Sequence, residues 1–228
     1  MSTKERYERT ADELADACRA AGRDPREVTL VAVSKTVGGD QVQLALDGGA
    51  HDFGENRPDQ LMEKADAFPQ ANWHFIGNIQ SRRIRDIVGR ATLVHSLFQE
   101  RHARKIDEIA REQGIVQDVL LEVNVSGEES KSGCTPQSVR ELLEVCEGLD
   151  NVRVRGLMTM APRADEEATR ASFQGLARLR DELRQGLTDQ QAEAFCELSM
   201  GMSEDWRIAV EEGATIVRIG RAIFSDTF

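Results

Sequence analysis

Apolar residues follow two alternating rhythms along this chain. Short β-branched runs such as Val28-Thr29-Leu30-Val31-Ala32-Val33 are separated by longer stretches with an apolar position every three or four residues. The first rhythm predicts buried strands and the second amphipathic helices. Eight strands are expected, over residues 28–34, 50–53, 72–76, 92–96, 117–125, 152–158, 195–199 and 214–219. Helices are expected near 39–47, 57–67, 79–88, 99–112, 136–147, 165–186 and 203–212, after a leading helix over 3–21. Gly22, Gly48-Gly49, Gly114 and Gly213 stand where helices should stop, and Thr135-Pro136 reads as an N-cap followed by proline at the first helical position.

Strand and helix patterns that alternate with short links predict a parallel sheet with crossover helices. Eight such units match a (β/α)8 TIM barrel of the α/β class, with the extra N-terminal helix covering one end. An open doubly wound sheet would show fewer strands and a glycine fingerprint after the first; Ser-Lys-Thr-Val-Gly-Gly stands there instead. No linker, repeat or low-complexity tract interrupts residues 1–228, so one domain is expected, with the barrel over about 28–224.

Composition narrows the function classes. A net charge of −11 argues against a general nucleic-acid binder, despite the basic cluster Arg82-Arg83-Ile84-Arg85. No stretch approaches the roughly 20 apolar residues that span a bilayer, and the polar start Met1-Ser2-Thr3-Lys4-Glu5-Arg6 does not resemble a signal peptide. Cys18, Cys134, Cys146 and Cys196 show no metal-ligand spacing and read as thiols of a reducing cytoplasm.

The chemistry is expected at the C-terminal ends of the strands. Lys35 closes the first of them, and lysine is scarce, since 24 of the 29 basic residues are arginines. A lysine can lose its proton and attack a carbonyl, whereas a guanidinium stays protonated. The plain alternative is a solvated lysine at a strand end. Barrels often bind phosphate in the loops after strands seven and eight. Ser199-Met200-Gly201 and Gly220-Arg221-Ala222 supply a hydroxyl, glycines and a helix start there. An imine-forming lysine facing a phosphate site suggests a phosphorylated aldehyde or ketone. Pyridoxal 5′-phosphate (PLP) fits, and so does the substrate of a cofactor-free Schiff-base aldolase. Arg218 points toward PLP, because a guanidinium at the pyridine nitrogen would keep that nitrogen unprotonated and weaken the ring as an electron sink.

Several segments then resemble one family. They are Ala32-Val33-Ser34-Lys35-Thr36, Phe53-Gly54-Glu55-Asn56-Arg57, Trp73-His74-Phe75-Ile76-Gly77, Gln80-Ser81 and the loop 126–133. Gly156-Leu157-Met158-Thr159-Met160, Leu198-Ser199-Met200-Gly201-Met202-Ser203 and Val217-Arg218-Ile219-Gly220-Arg221-Ala222-Ile223-Phe224 complete the set. In order and spacing they are similar to the YggS/PROSC-type PLP homeostasis proteins, relatives of the alanine racemase barrel. The resemblance implies a fold-type III PLP barrel with the cofactor in Schiff-base linkage to Lys35. It also implies Arg218 at the pyridine nitrogen, Asn56 and Met158 lining the ring pocket, and Ser199, Gly220 and Arg221 holding the phosphate.

Further implications are a cytoplasmic monomer that carries PLP, serves vitamin B6 and amino-acid homeostasis without established catalysis, and hands its cofactor to PLP-dependent apoenzymes. A racemase-like enzyme is the alternative. The racemases, however, take a catalytic tyrosine from a second domain, and the only tyrosine here is Tyr7. Three departures stand out. Arg82-Arg83 replaces a family Asn-Lys pair, Arg221 stands where threonine is common, and Phe224-Ser225-Asp226 lacks the usual glycine. Lys131 is expected to be a surface charge rather than a second PLP site.

Overall fold

The structure, a computed structural model, describes residues 1–128, 131–162 and 165–225. The strands are β1 (Thr29–Val33), β2 (Asp52–Glu55), β3 (Asn72–Phe75), β4 (Leu93–Leu97), β5 (Gln117–Glu122), β6 (Val152–Met158), β7 (Glu197–Ser199) and β8 (Ile216–Ile219). All pair in parallel with their sequence neighbours, and β8 returns to β1 to close the barrel. The helices are α1 (Thr3–Ala20), α2 (Gly39–Asp47), α3 (Pro58–Ala67), α4 (Ile84–Ile87), α5 (Glu100–Gln113), α6 (Ser138–Glu147), α7 (Glu166–Arg184), α8 (Asp189–Ala194), α9 (Trp206–Glu211) and α10 (Arg221–Phe224). The (β/α)8 barrel read from the hydrophobic pattern is the fold.

Differences from the expected elements have local causes. Strand two runs to Glu55 instead of ending at Phe53, because the Glu55 carboxylate finds a buried partner that an apolar pattern cannot register. The helix expected over 79–88 divides into a 3-10 turn, Ser81–Arg83, and the four-residue α4. The short helices α8 and α10 carry too few periodic positions to be seen in advance. Thr135 is not the N-cap of α6: the helix starts at Ser138 with Gln137 as its N-cap, and the Thr135 Oγ1 accepts from the Ser138 N–H in the turn that leads into it. Gly114 ends α5 in the left-handed conformation, at φ 67°.

The leading helix packs against α2, α9 and α10, the helices flanking the seam between β8 and β1. Since α10 is only four residues long, α1 supplies the apolar cover that a full eighth helix would give. The Arg6 Nε donates to the Ile223 carbonyl at 2.7 Å and ties the first helix to the last. Outward-facing strand residues such as Leu30, Ala32, Phe53, Trp73 and Val217 join the helices in one large core. Trp73 is buried there against Phe53, and its indole N–H donates to the Phe68 carbonyl. Inside the barrel, Val31, Leu93, Leu120, Met158 and Ile216 form a separate apolar cluster. Side chains alternate along a strand, so this inner face of β1 continues through Val33 to Lys35.

Candidate functional site

The C-terminal mouth of the barrel is built around the end of β1. The Ser34 N–H donates to the Gly54 carbonyl at 3.0 Å, and its Oγ donates to the Glu55 carboxylate at 2.7 Å. The Lys64 ammonium, reaching in from α3, donates to that same carboxylate at 2.5 Å and to the Ser34 carbonyl at 2.8 Å. Both side chains of the Lys64–Glu55 pair are almost wholly buried, at 4% and 0% exposure. A buried pair keeps its two charges only where hydrogen bonds satisfy both. Here those bonds fix the peptide immediately before Lys35. Lys64 carried no chemistry in the sequence reading, although a lysine on the apolar face of a helix was the available signal.

Lys35 itself is exposed at the mouth. The other four lysines are engaged: Lys4 with Glu8, Lys64 with Glu55, Lys105 with Glu108 and Lys131 with Glu128. Among the lysines, all within the described residues, Lys35 alone has no ion-pair or hydrogen-bond partner.

Asn56 follows β2 on the inward register, half-buried, with a buried Oδ1 that lacks a partner. A side chain on Gly77 could not coexist with it, because a Cβ there would lie 1.9 Å from the Asn56 carbonyl oxygen. The glycine thus lets the loops after β2 and β3 touch. Met158 is buried in the inner cluster below the mouth. Glu122 ends β5 as a buried carboxyl; Ser132 donates to one oxygen at 2.9 Å, and the other has no partner. Burial raises its pKa, against the opposing Ser132 hydrogen bond and Arg218 charge.

Arg218 projects from β8 into the barrel and is buried. It donates to the Ser199 Oγ at 2.5 Å and to the Thr159 carbonyl at 3.0 Å. Among the described residues it forms no salt bridge; Asp205 and Glu122 act on it only through their charge. Burial brings its pKa down to about 10, so the guanidinium remains protonated near neutrality. Ser199, fully buried, also bonds the Nδ1 of His95 at 2.8 Å. Its hydroxyl is therefore occupied, and the loop it opens offers backbone instead. The N–H groups of Gly201 and Gly220 have no acceptor among the described residues. A Cβ on Gly220 would come within 3.1 Å of the Val33 carbonyl oxygen, so a larger residue would press on the strand that ends in Lys35. Arg221 pairs with Glu204 at 2.7 Å, across the loops after β7 and β8.

Other residues singled out in the sequence stand apart from this cluster. Arg83 pairs with Asp86 and Arg85 with Glu112, which neutralises much of the basic run. Lys131, expected as a surface charge, is an ion-paired one. It folds onto its own loop, with Glu128 at 2.7 Å and Ser126 at 3.3 Å, and is 18% exposed. Glu129 and Ser130 of that loop, and Asp226 of the tail, lie outside the described residues. Cys18, Cys134 and Cys146 are buried free thiols and Cys196 is half-buried; burial raises Cys134 to about 11 and Cys146 to about 12. No cluster of three potential metal ligands occurs among the described residues.

The donor set fits PLP. It offers a free amine for an aldehyde, a buried guanidinium inside the barrel, two buried side-chain oxygens without partners, and unpaired backbone N–H groups on two glycine loops. A closed parallel barrel with an unpaired lysine amine at its mouth, beside the glycine loop that follows β8, belongs to the class of barrels able to hold a phosphorylated aldehyde. The family model for the alanine racemase N-terminal domain matches residues 10–227. A pyridoxal phosphate homeostasis protein of Aquifex aeolicus is 40% identical, with 99% of each chain covered. One from Pseudomonas aeruginosa is 42% identical, over 98% of this chain and 96% of the relative. The solved structure of PipY from Synechococcus elongatus with PLP bound is 32% identical at a TM-score of 0.79, covering 93% of this chain and 100% of that one. This chain belongs to the family of pyridoxal phosphate homeostasis proteins, within the alanine racemase N-terminal domain group.

Proposed function

We propose that this protein holds PLP on Lys35 and serves vitamin B6 and amino-acid homeostasis as a carrier rather than as a catalyst. The observation that carries the reading is the solitary Lys35 amine at the mouth, in a chain whose other lysines are all paired. When bound, PLP supplies an aldehyde that a lysine amine captures reversibly. The chain's own residues then hold and orient it. Asn56 and Met158 line the ring, and Arg218 donates toward the pyridine nitrogen. The loops of Ser199, Gly220 and Arg221 grip the phosphate through backbone N–H groups. The Lys64–Glu55–Ser34 clamp keeps the Lys35 turn in place.

The carrier reading has a physical basis. A protonated guanidinium disfavours a second proton on the ring nitrogen, so the cofactor is retained but weakly activated. Tyr7, the only tyrosine, is buried in α1 and feels the Asp52 charge at the start of β2, the end of the barrel opposite the mouth. It is no second acid or base for Lys35. PLP-dependent apoenzymes are the recipients this reading names, with the protein acting as a monomer in the cytoplasm.

Borohydride reduction of PLP-loaded protein followed by peptide mapping tests the site. The adduct is expected on the Lys35 peptide, and to be absent from a folded Lys35→Ala variant. A wild-type adduct level in that variant would refute the assignment. Amino-acid α-proton exchange at an enzyme-like rate would overturn the carrier reading in favour of a racemase-like one.

A further inference from the structure

A file of hydrogen bonds crosses the barrel interior from its closed end to its mouth. The Asp52 carboxylate, at the start of β2, bonds the Nε2 of His74 at 3.0 Å. His74 Nδ1 bonds His95 Nε2 at 2.9 Å, His95 Nδ1 bonds the Ser199 Oγ at 2.8 Å, and Arg218 donates to that Oγ at 2.5 Å. His74, His95, Ser199 and Arg218 are all buried, whereas the Asp52 side chain is 23% exposed. The file therefore begins at solvent and ends at the guanidinium.

The chemistry of the two ends fixes its direction. A guanidinium only donates and a carboxylate only accepts. Between them lie a hydroxyl and two imidazoles, each able to donate once and accept once when neutral. With both imidazoles neutral, a single arrangement satisfies all four bonds. Ser199 O–H donates to His95 Nδ1, His95 Nε2–H to His74 Nδ1, and His74 Nε2–H to Asp52. Both histidines are then Nε2–H tautomers. Burial, with the Arg218 charge and the repulsion a protonated His74 would exert adding to it, holds the His95 pKa well below the usual imidazole range. The groups facing the file are few. Asn72 also donates to Asp52 and Tyr7 of α1 feels its charge; Glu122 and Asp205 act on Arg218.

We propose that His95, backed by His74 and Asp52, is a positioning residue that orients the Ser199 hydroxyl and through it the Arg218 guanidinium. The four bonds form one directed relay, so the Arg218 fork is aimed by a carboxylate on the far side of the barrel. A Ser199 hydroxyl turned away from His95 would leave one imidazole nitrogen buried and unpaired, which costs more than the bond itself contributes. The effect on bound PLP rests on the reading of Arg218 given above; the proton order is a property of the chain alone.

Two measurements test the relay. Two-bond nitrogen–proton NMR correlations on histidine-labelled apoprotein read each tautomer directly. With only four histidines, single His51→Gln, His102→Gln and His95→Asn variants complete the assignment. His74 and His95 are expected as Nε2–H tautomers, and His95 should stay neutral as the pH falls through the usual imidazole range. An Nδ1–H tautomer at either relay position overturns the proposal.

The second measurement is PLP binding by His95→Phe and His95→Asn. Phenylalanine fills the space without a polar atom, whereas an Asn carboxamide oxygen can still accept from Ser199. The lost Ser199–His95 bond, near the upper end of what a neutral hydrogen bond contributes, converts to up to about tenfold in affinity. The Phe variant should bind PLP about tenfold more weakly with a shifted visible band, and the Asn variant should recover most of both. Equal affinities and spectra in all three proteins would also overturn it. Wild-type protein that takes up no PLP sinks the cofactor reading and leaves the NMR result standing. Nδ1–H tautomers in a protein that binds PLP sink the relay alone.

Discussion

Lys64→Met should be among the most damaging single substitutions outside the PLP site. Methionine matches the lysine stem in length but removes its charge. Glu55, fully buried, would keep the Ser34 hydroxyl as its one hydrogen-bond donor, with its second oxygen already unpartnered. Removing one partner from a buried pair costs about 3–5 kcal/mol, because the remaining charge is stranded away from water. For a chain of this size each kcal/mol shifts Tm by about 2–4 °C, so a fall of roughly 6–20 °C is expected. Urea unfolding of wild type, Lys64→Met, Glu55→Gln and the double variant closes a double-mutant cycle. The double variant should recover most of the loss, since a neutral amide replaces the stranded carboxylate and Ser34 can still donate to it. PLP loading should slow in the single variant, where the Ser34 carbonyl loses its ammonium. Stability within about 1 kcal/mol of wild type for Lys64→Met, or a double variant no better than the single, would refute the clamp.

Three further outcomes follow from the same geometry. Gly77→Ala places a methyl group on the Asn56 carbonyl; it should cost about 1–3 kcal/mol in urea melts and lower PLP affinity by displacing Asn56. Glu122→Gln should stabilise the protein in a pH-dependent way. Burial raises the carboxyl above its unfolded value of about 4.3, so wild type is favoured below that value and loses stability as pH rises through the folded pKa. Thermal melts should show the variant's advantage at about pH 8 and none at about pH 4. Thiol titration of native protein should label Cys196 first, with Cys18, Cys134 and Cys146 reacting only on unfolding.

The barrel was legible because its strands are buried on both faces and read as unbroken apolar runs, and because glycines mark the helix ends. Lys35, Arg218 and the glycine loops were legible because strand ends gather at one mouth, whatever the details of packing. Polar residues within the barrel were not. His74 and His95 lie 21 positions apart on different strands, and nothing in a linear pattern says that they meet. Ser199 illustrates the same limit. Its place after strand seven suggested a phosphate hydroxyl, while the fold gives that hydroxyl to His95 and Arg218. Lys64 was passed over as one charge among many, since only the packing of α3 on β2 reveals that it is buried.

A chain that meets nearly all its need for positive charge with guanidiniums leaves few amines for stray electrophiles to find. Sugars, dicarbonyls and activated acyl groups would encounter Lys35 far more readily than side chains already gripped by carboxylates. Selectivity for an aldehyde cargo is thus written partly in what the surface omits. The same economy exposes the protein to glycation at the one position its task cannot spare.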